Sequence, residues 1–171
     1  MMQGEILKML ARSALFVLAL LLAYPGGAHA QRAGGAFERL PGQWAGAGTI
    51  DMVNGSHEAL HCRASYDLLA ERHNLQLNIR CASDSYNFDL FSSATSSGHS
   101  VSGTWSEATH SVAGTISGTA EGDRIQVRAE SPSFSATLSL VTRGDRQSVL
   151  IRSLDPNASV RGATINLRRH G

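Results

Sequence analysis

The chain has 171 residues, with 15 basic and 14 acidic side chains, so its formal net charge at neutral pH is +1. Hydrophobic residues make up 42% of the sequence, which is enough for one domain with an apolar core. The basic residues form no stripe, and we therefore expect no nucleic-acid partner.

Residues 1–30 have the three-part pattern of a secretory signal peptide. A basic start with Lys8 and Arg12 precedes an apolar run, and small residues, Ala28 and Ala30, stand where a signal peptidase would cut. The apolar run ends after about 12 residues, whereas a membrane-spanning helix needs about 20. We predict a signal-peptide helix, cleavage after Ala30, and a periplasmic or secreted protein that is not an integral membrane protein once cleaved.

Cleavage has two chemical consequences for the remaining chain. It removes Lys8, the only lysine in the sequence, so Schiff-base chemistry and a P-loop lysine are excluded. It also brings Cys62 and Cys81 into an oxidising compartment, where we expect them to form a disulfide.

After a flexible lead-in predicted for residues 31–42, short segments alternate apolar with small polar residues. Turn-forming Gly, Asn, Asp and Ser separate them about every ten residues, which is typical of an all-β sandwich or barrel. The predicted strands are 43–53, 58–69, 74–82, 85–92, 100–107, 112–120, 124–130, 134–141, 147–153 and 160–168. We predict an all-β domain over residues 43–171, an antiparallel meander closing into a small β-barrel of eight to ten strands, because closure removes exposed strand edges.

Two local features refine this prediction. Residues 62 and 81 are symmetric about the turn of the 58–82 hairpin, so without a bulge the two cysteines lie directly opposite each other. The string V-S-G-T-W-S at 101–106 returns as V-A-G-T-I-S at 112–117, which indicates two neighbouring strands in similar environments.

The string H-E-x-x-H at residues 57–61 matches the zinc-protease signature, in which two histidines one helical turn apart bind zinc and the glutamate acts as base. The apolar positions from 60 to 68 alternate with period two, however, which favours a strand. In a strand His57 and His61 share the outward face while Glu58 points inward. A zinc-dependent hydrolase is therefore a remote alternative, with His57 and His61 as its metal ligands.

The first strand opens with Gly42-x-Trp44, which resembles the G-x-W start of lipocalin-like barrels, in which the tryptophan plugs the base. The resemblance implies a basic partner later in the chain, either Arg152 or Arg161. The Ser-Gly-Thr-Trp string ending at Trp105 also looks avidin-like. We expect ligand contacts, if the interior is hollow, from five aromatic residues: Trp44, Tyr86, Phe88, Trp105 and Phe134.

A broader resemblance spans most of residues 42–142. The runs C-R-A-S-Y at 62–66, R-C-A-S-D-S-Y-N-F at 80–88 and G-T-W-S-E at 103–107 are similar to small exported alphaproteobacterial proteins of unassigned function. This resemblance implies export and a disulfide but no activity.

The function expected from the sequence is an exported soluble barrel that binds a small apolar ligand in its interior. The alternative is a non-enzymatic structural or interaction protein of the cell envelope, with a filled interior. We identify no catalytic residues and no cofactor, and the oligomeric state stays open.

Overall fold

The computed structural model describes residues 35–69 and 73–170. The predicted signal peptide, its cleavage site and residues 31–34 lie outside this range. Within it the chain forms ten strands and no helix, so none of the described residues forms a helix able to cross a membrane. The strands are β1 (Gly42–Met52), β2 (His57–Leu68), β3 (Asn74–Ala82), β4 (Asn87–Ser97), β5 (Ser100–Glu107), β6 (Val112–Glu121), β7 (Arg124–Ser131), β8 (Phe134–Arg143), β9 (Arg146–Ser153) and β10 (Val160–His170).

The ten strands form a closed antiparallel barrel in which each strand pairs with its neighbours in sequence. The ring closes where β1 pairs with β10, from Gln43 opposite His170 to Met52 opposite Val160. The predicted all-β meander and its closure are thus confirmed, with ten strands. The fourth strand is longer than predicted and continues to Ser97.

The repeated string forms two neighbouring strands, as predicted, and their register has a packing consequence. In the β5–β6 pair Trp105 lies opposite Gly114, and Gly103 lies opposite Ile116. Each large side chain therefore faces a residue without one. A Cβ atom on Gly114 would lie 3.0 Å from Nε1 of Trp105 and 1.9 Å from the carbonyl oxygen of Glu130, so this position has no room for alanine.

The disulfide joins Cys62 of β2 to Cys81 of β3, which are direct cross-strand partners, as the hairpin symmetry predicts. Both cysteines are buried in the hydrophobic core. The bond fixes the β2–β3 register, because a slip by one residue would turn one sulfur to the outside.

One end of the barrel is closed by the segment that precedes β1. Gly42 adopts a φ of +118°, which a side chain rarely allows, and this lets the segment fold across the end. Phe37 and Leu40 from this segment are 1% and 2% exposed. The indole N–H of Trp44 donates to the Leu40 carbonyl over 2.8 Å. Sequence reasoning did not single out Phe37 or Leu40 as core residues.

The basic partner of Trp44 is Arg169, not Arg152 or Arg161 as the resemblance implied. The Arg169 guanidinium carbon lies 4.7 Å from the Trp44 ring centre, and the two residues are register partners in the β1–β10 pair. Arg152 is instead exposed on β9, and Arg161 lies at the opposite end of β10, where it donates to the Val53 carbonyl.

A buried polar group reinforces the closed end. The Tyr66 hydroxyl donates to Oε1 of Gln147 over 2.7 Å, and Nε2 of Gln147 donates to the Thr142 hydroxyl over 3.1 Å. Burial raises the pKa of Tyr66, although its hydrogen bond to Gln147 opposes the shift. The phenol therefore remains a neutral donor. The buried side-chain oxygen and nitrogen atoms of Tyr66, Gln147 and Thr142 are all hydrogen-bonded within the protein.

We expect the disulfide to stabilise the fold by about 3 kcal/mol, because it closes a loop with a sequence separation of 19 residues. The double variant Cys62→Ala/Cys81→Ala should lose about this much free energy of unfolding in urea titrations. Reductant should lower the stability of the wild type towards that of the variant and leave the variant unchanged. Equal urea midpoints for the oxidised wild type and the variant would contradict the expectation.

Candidate functional site

The end of the barrel opposite Trp44 holds an apolar cavity of about 310 Å³. It lies at the end where β1, β3, β5, β7 and β9 finish, here called the mouth. Its lining combines aromatic and aliphatic side chains from most of the strands with a few polar residues. The lining residues are Ile50, Tyr86, Phe88, Leu90, Trp105, Glu107, His110, Val112, Ala129, Phe134, Ala136, Leu138, Ile151, Ser153, Ala158, Ser159, Val160, Gly162 and Ala163.

A second, smaller void of about 130 Å³ lies deeper in the barrel. Four residues line both spaces: Phe88, Leu90, Leu138 and Ile151. The deeper void continues to Phe37 and Leu40, where the closed end begins. The interior is therefore hollow from the mouth towards the closed end, and both the cavity and the deeper void are lined mainly by apolar residues.

The structure brings four of the five predicted aromatic ligand contacts together at the mouth cavity. Tyr86 and Phe88 lie with their ring centres 6.4 Å apart, and Trp105 and Phe134 meet edge to face at 5.6 Å. The fifth, Trp44, lies at the closed end and lines neither space. The Trp105 indole N–H already donates to the Thr115 carbonyl over 3.1 Å, so this ring offers the cavity an apolar face.

Glu107 ends the inward-facing row of β5 and places a carboxylate at the mouth. Oε1 accepts from the backbone N–H groups of Asp89 (2.8 Å) and Thr109 (2.9 Å). Oε2 accepts from the backbone N–H of His110 and from its ring Nδ1, both over 2.7 Å. Burial alone would raise the pKa of Glu107, but these hydrogen bonds outweigh it and lower the pKa to about 2.

The His110 ring stands beside Tyr86 at the edge of the cavity. The two ring centres are 5.4 Å apart and the planes are tilted by 21°, so the rings stack. Because Glu107 is ionised at neutral pH and has no proton to give, Nδ1 of His110 must carry the hydrogen of the 2.7 Å contact. Among residues 35–69 and 73–170, Nε2 of His110 makes no hydrogen bond.

The glutamate of the H-E-x-x-H string has a structural role at the mouth. Glu58 accepts hydrogen bonds from the Ser83 hydroxyl over 2.6 Å and from both the backbone N–H and the hydroxyl of Ser85. These bonds lower the pKa of Glu58, with the Ser83 bond as the largest cause. Ser83 in turn accepts from the Tyr86 backbone N–H. Glu58 thereby fixes the β3–β4 connection that carries Tyr86.

The two histidines of that string lie on the exposed side of β2. Nδ1 of His57 is 2.7 Å from a carboxylate oxygen of Asp51, while Glu58 is turned inward. The string forms a strand, so the helical arrangement that a zinc protease needs is not present. The described part of the chain contains no group of three or more His, Cys, Asp or Glu side chains able to hold a metal ion.

Sequence reasoning missed Glu107 and His110. One signal was available: the inward positions of the fifth strand, Val101, Gly103 and Trp105, continue with period two to Glu107. A carboxylate on an inward row needs several hydrogen-bond donors, and the turn that follows β5 supplies them.

Comparison with known proteins shows the fold but no family. No protein-family model matches the chain, and no curated protein matches it significantly. Among solved structures, Rv2717c from M. tuberculosis aligns with a TM-score of 0.65 at 14% identity, covering 82% of this chain and 98% of that one. The S-type phycobiliprotein lyase CPES from Guillardia theta aligns with a TM-score of 0.55 at 10% identity, covering 79% and 90%. At 14% and 10% identity these likenesses show a shared fold and nothing more.

We expect Glu107→Gln to destabilise the protein at neutral pH by about 1–3 kcal/mol, because the amide presents N–H groups where the carboxylate accepts. The folded-state pKa of Glu107 is lowered from 4.5 to about 2, so its contribution is complete above pH 4.5 and is lost as the pH falls towards 2. Urea titrations at several pH values should show the wild-type advantage shrinking over this window. The control, Glu121→Gln on the exposed side of β6, should change stability little. A wild-type advantage that is independent of pH would contradict the role of the carboxylate.

Proposed function

We propose that this barrel is an exported binding module that holds one small apolar ligand in the cavity at its mouth. The observation that carries the proposal is the apolar space of about 310 Å³ at one end of a barrel whose other end is plugged. Ligand pockets in proteins span about 300–1,000 Å³ and are mostly apolar with a few polar groups. This cavity lies at the small end of that range.

The hollow interior favours binding over a purely structural role. A structural barrel gains most from a filled core, because an empty apolar cavity of this size forgoes packing contacts. Small inward residues keep the space open: Ala129 and Ala136 are register partners on β7 and β8, and both line the cavity. The lyase from Guillardia theta supports the proposal by fold alone.

The zinc-hydrolase alternative loses its basis, because its motif lies on a strand. The glutamate that would act as base is instead bound by Ser83 and Ser85. The binding function needs no catalytic residue.

Export is the second part of the proposal. It rests on the sequence pattern of residues 1–30 and is consistent with the Cys62–Cys81 disulfide, since such bonds persist in oxidising compartments. A periplasmic or secreted location would place the binding site where small apolar molecules cross the cell envelope.

A cavity-filling substitution should separate binding in the barrel from binding at its surface. We expect N-phenyl-1-naphthylamine, an apolar dye whose fluorescence rises in apolar surroundings, to bind the wild type. Ala136→Leu should weaken its binding at least tenfold, because Ala136 lines the cavity and the larger side chain takes up part of its volume. Dye titrations followed by fluorescence measure both affinities.

The matched control is Ala113→Leu, which adds the same atoms on the exposed side of β6. It should leave the dye affinity unchanged, and circular dichroism should show both variants folded. Dye binding that survives Ala136→Leu but is lost in Ala113→Leu would refute binding inside the barrel.

Export predicts a defined new N-terminus. When the full chain is expressed in a Gram-negative host, the protein recovered from the periplasm or the medium should begin at Gln31. N-terminal sequencing measures this directly. Protein that stays in the cytoplasm with Met1 retained would overturn the export proposal without touching the binding proposal.

A further inference from the structure

Few polar groups line the mouth cavity, and they differ in whether a hydrogen-bonding atom remains available to a ligand. Besides the serines 153 and 159, the polar and titratable lining residues are Tyr86, Glu107 and His110. None of the lining residues in the described part of the chain is an arginine or a lysine. A ligand with an apolar body must therefore place any polar group against this small set.

Glu107 is not available to a ligand as an acceptor. Each of its two oxygens already accepts two hydrogen bonds, all between 2.7 and 2.9 Å. Its negative charge also lies beside the His110 ring, and the lining within residues 35–69 and 73–170 has no arginine to offset it. An anionic head group such as a carboxylate would meet this charge without a counter-ion.

His110 is the group left for recognition. Its Nδ1 donates to Glu107, so the neutral form of the ring carries its hydrogen on Nδ1 and presents Nε2 as a hydrogen-bond acceptor. Its ring is also held in place by the stack on Tyr86. A pre-oriented acceptor at the edge of an apolar cavity matches a ligand that ends in a hydroxyl donor.

We propose that His110 determines specificity at the mouth by accepting, at Nε2, a hydrogen bond from the hydroxyl of an apolar alcohol or phenol. This inference rests on the proposed binding function and names its ligand class. Glu107 is a positioning residue that acts through the imidazole.

Three probes with the same apolar body and different heads test the inference: 2-naphthol, naphthalene and 2-naphthoate. We expect the wild type to bind 2-naphthol about tenfold more tightly than naphthalene, the ratio that one satisfied hydrogen bond gives. 2-Naphthoate should bind more weakly than 2-naphthol. Isothermal titration calorimetry gives the three Kd values under one set of conditions.

His110→Phe keeps an aromatic ring beside Tyr86 and removes Nε2. It should reduce the naphthol-to-naphthalene preference to about one while naphthalene still binds, an outcome that a general loss of folding would not produce. The control, His61→Phe on the exposed side of β2, should keep the wild-type preference.

The outcomes separate the inference from the proposed function. If naphthalene and 2-naphthol bind the wild type equally, or if the preference survives in His110→Phe, the inference is overturned and binding in the barrel stands. Tighter binding of 2-naphthoate than of 2-naphthol also overturns it. If none of the three probes binds, the proposed function fails together with the inference.

Discussion

The pairing of β1 with both β2 and β10 is the constraint on which the rest of the structure depends. Once β1 and β10 close the ring, the period-two alternation assigns each side chain to the inside or the outside. The inside is then filled unevenly: Trp105 covers Gly114, where no side chain fits, whereas Ala129 and Ala136 lie opposite each other and line the cavity. The space that these two alanines leave open is the space in which a ligand would bind.

The two ends of the barrel are built on different physical principles. The closed end uses apolar burial of Phe37 and Leu40 under Trp44, with Arg169 over the indole ring. The mouth uses hydrogen bonds to two carboxylates, Glu58 and Glu107, each of which fixes a connection between strands. Apolar packing excludes water from one end, whereas hydrogen-bonded loops shape the other and leave it open.

The sequence predicts the barrel because strand alternation and turn residues are local signals. The disulfide follows from the symmetry of its hairpin. The extension of β4 was not predicted, because Ser92, Ala94 and Ser96 face inward although they are small or polar. The amino-acid sequence of this part of the strand therefore resembles that of a loop. The inward orientation of these three residues can be assigned only when the neighbouring strands are known.

Other features depend on residues far apart in the chain. Arg169 reaches Trp44 because β10 is the strand that pairs with β1, and no spacing rule could choose it over Arg152 or Arg161. The Glu107–His110 pair depends on the turn after β5 and on a backbone N–H from β4. Four of the five predicted aromatic contacts meet at the cavity. The polar groups beside them could not be predicted, because they come together only where these elements approach each other in the fold.

The hydrogen bonds between Glu58 and the β3–β4 connection have a consequence for kinetics. A wall of ten paired strands offers no gap, so any molecule that occupies the cavity must pass the mouth, where Tyr86 stacks on His110. The connection that carries Tyr86 is held by hydrogen bonds near the surface, and such contacts open more readily than the barrel wall. Any occupant would therefore enter and leave beside this connection, so weakening the Ser83 or Ser85 bonds would be felt in the rates of association and dissociation.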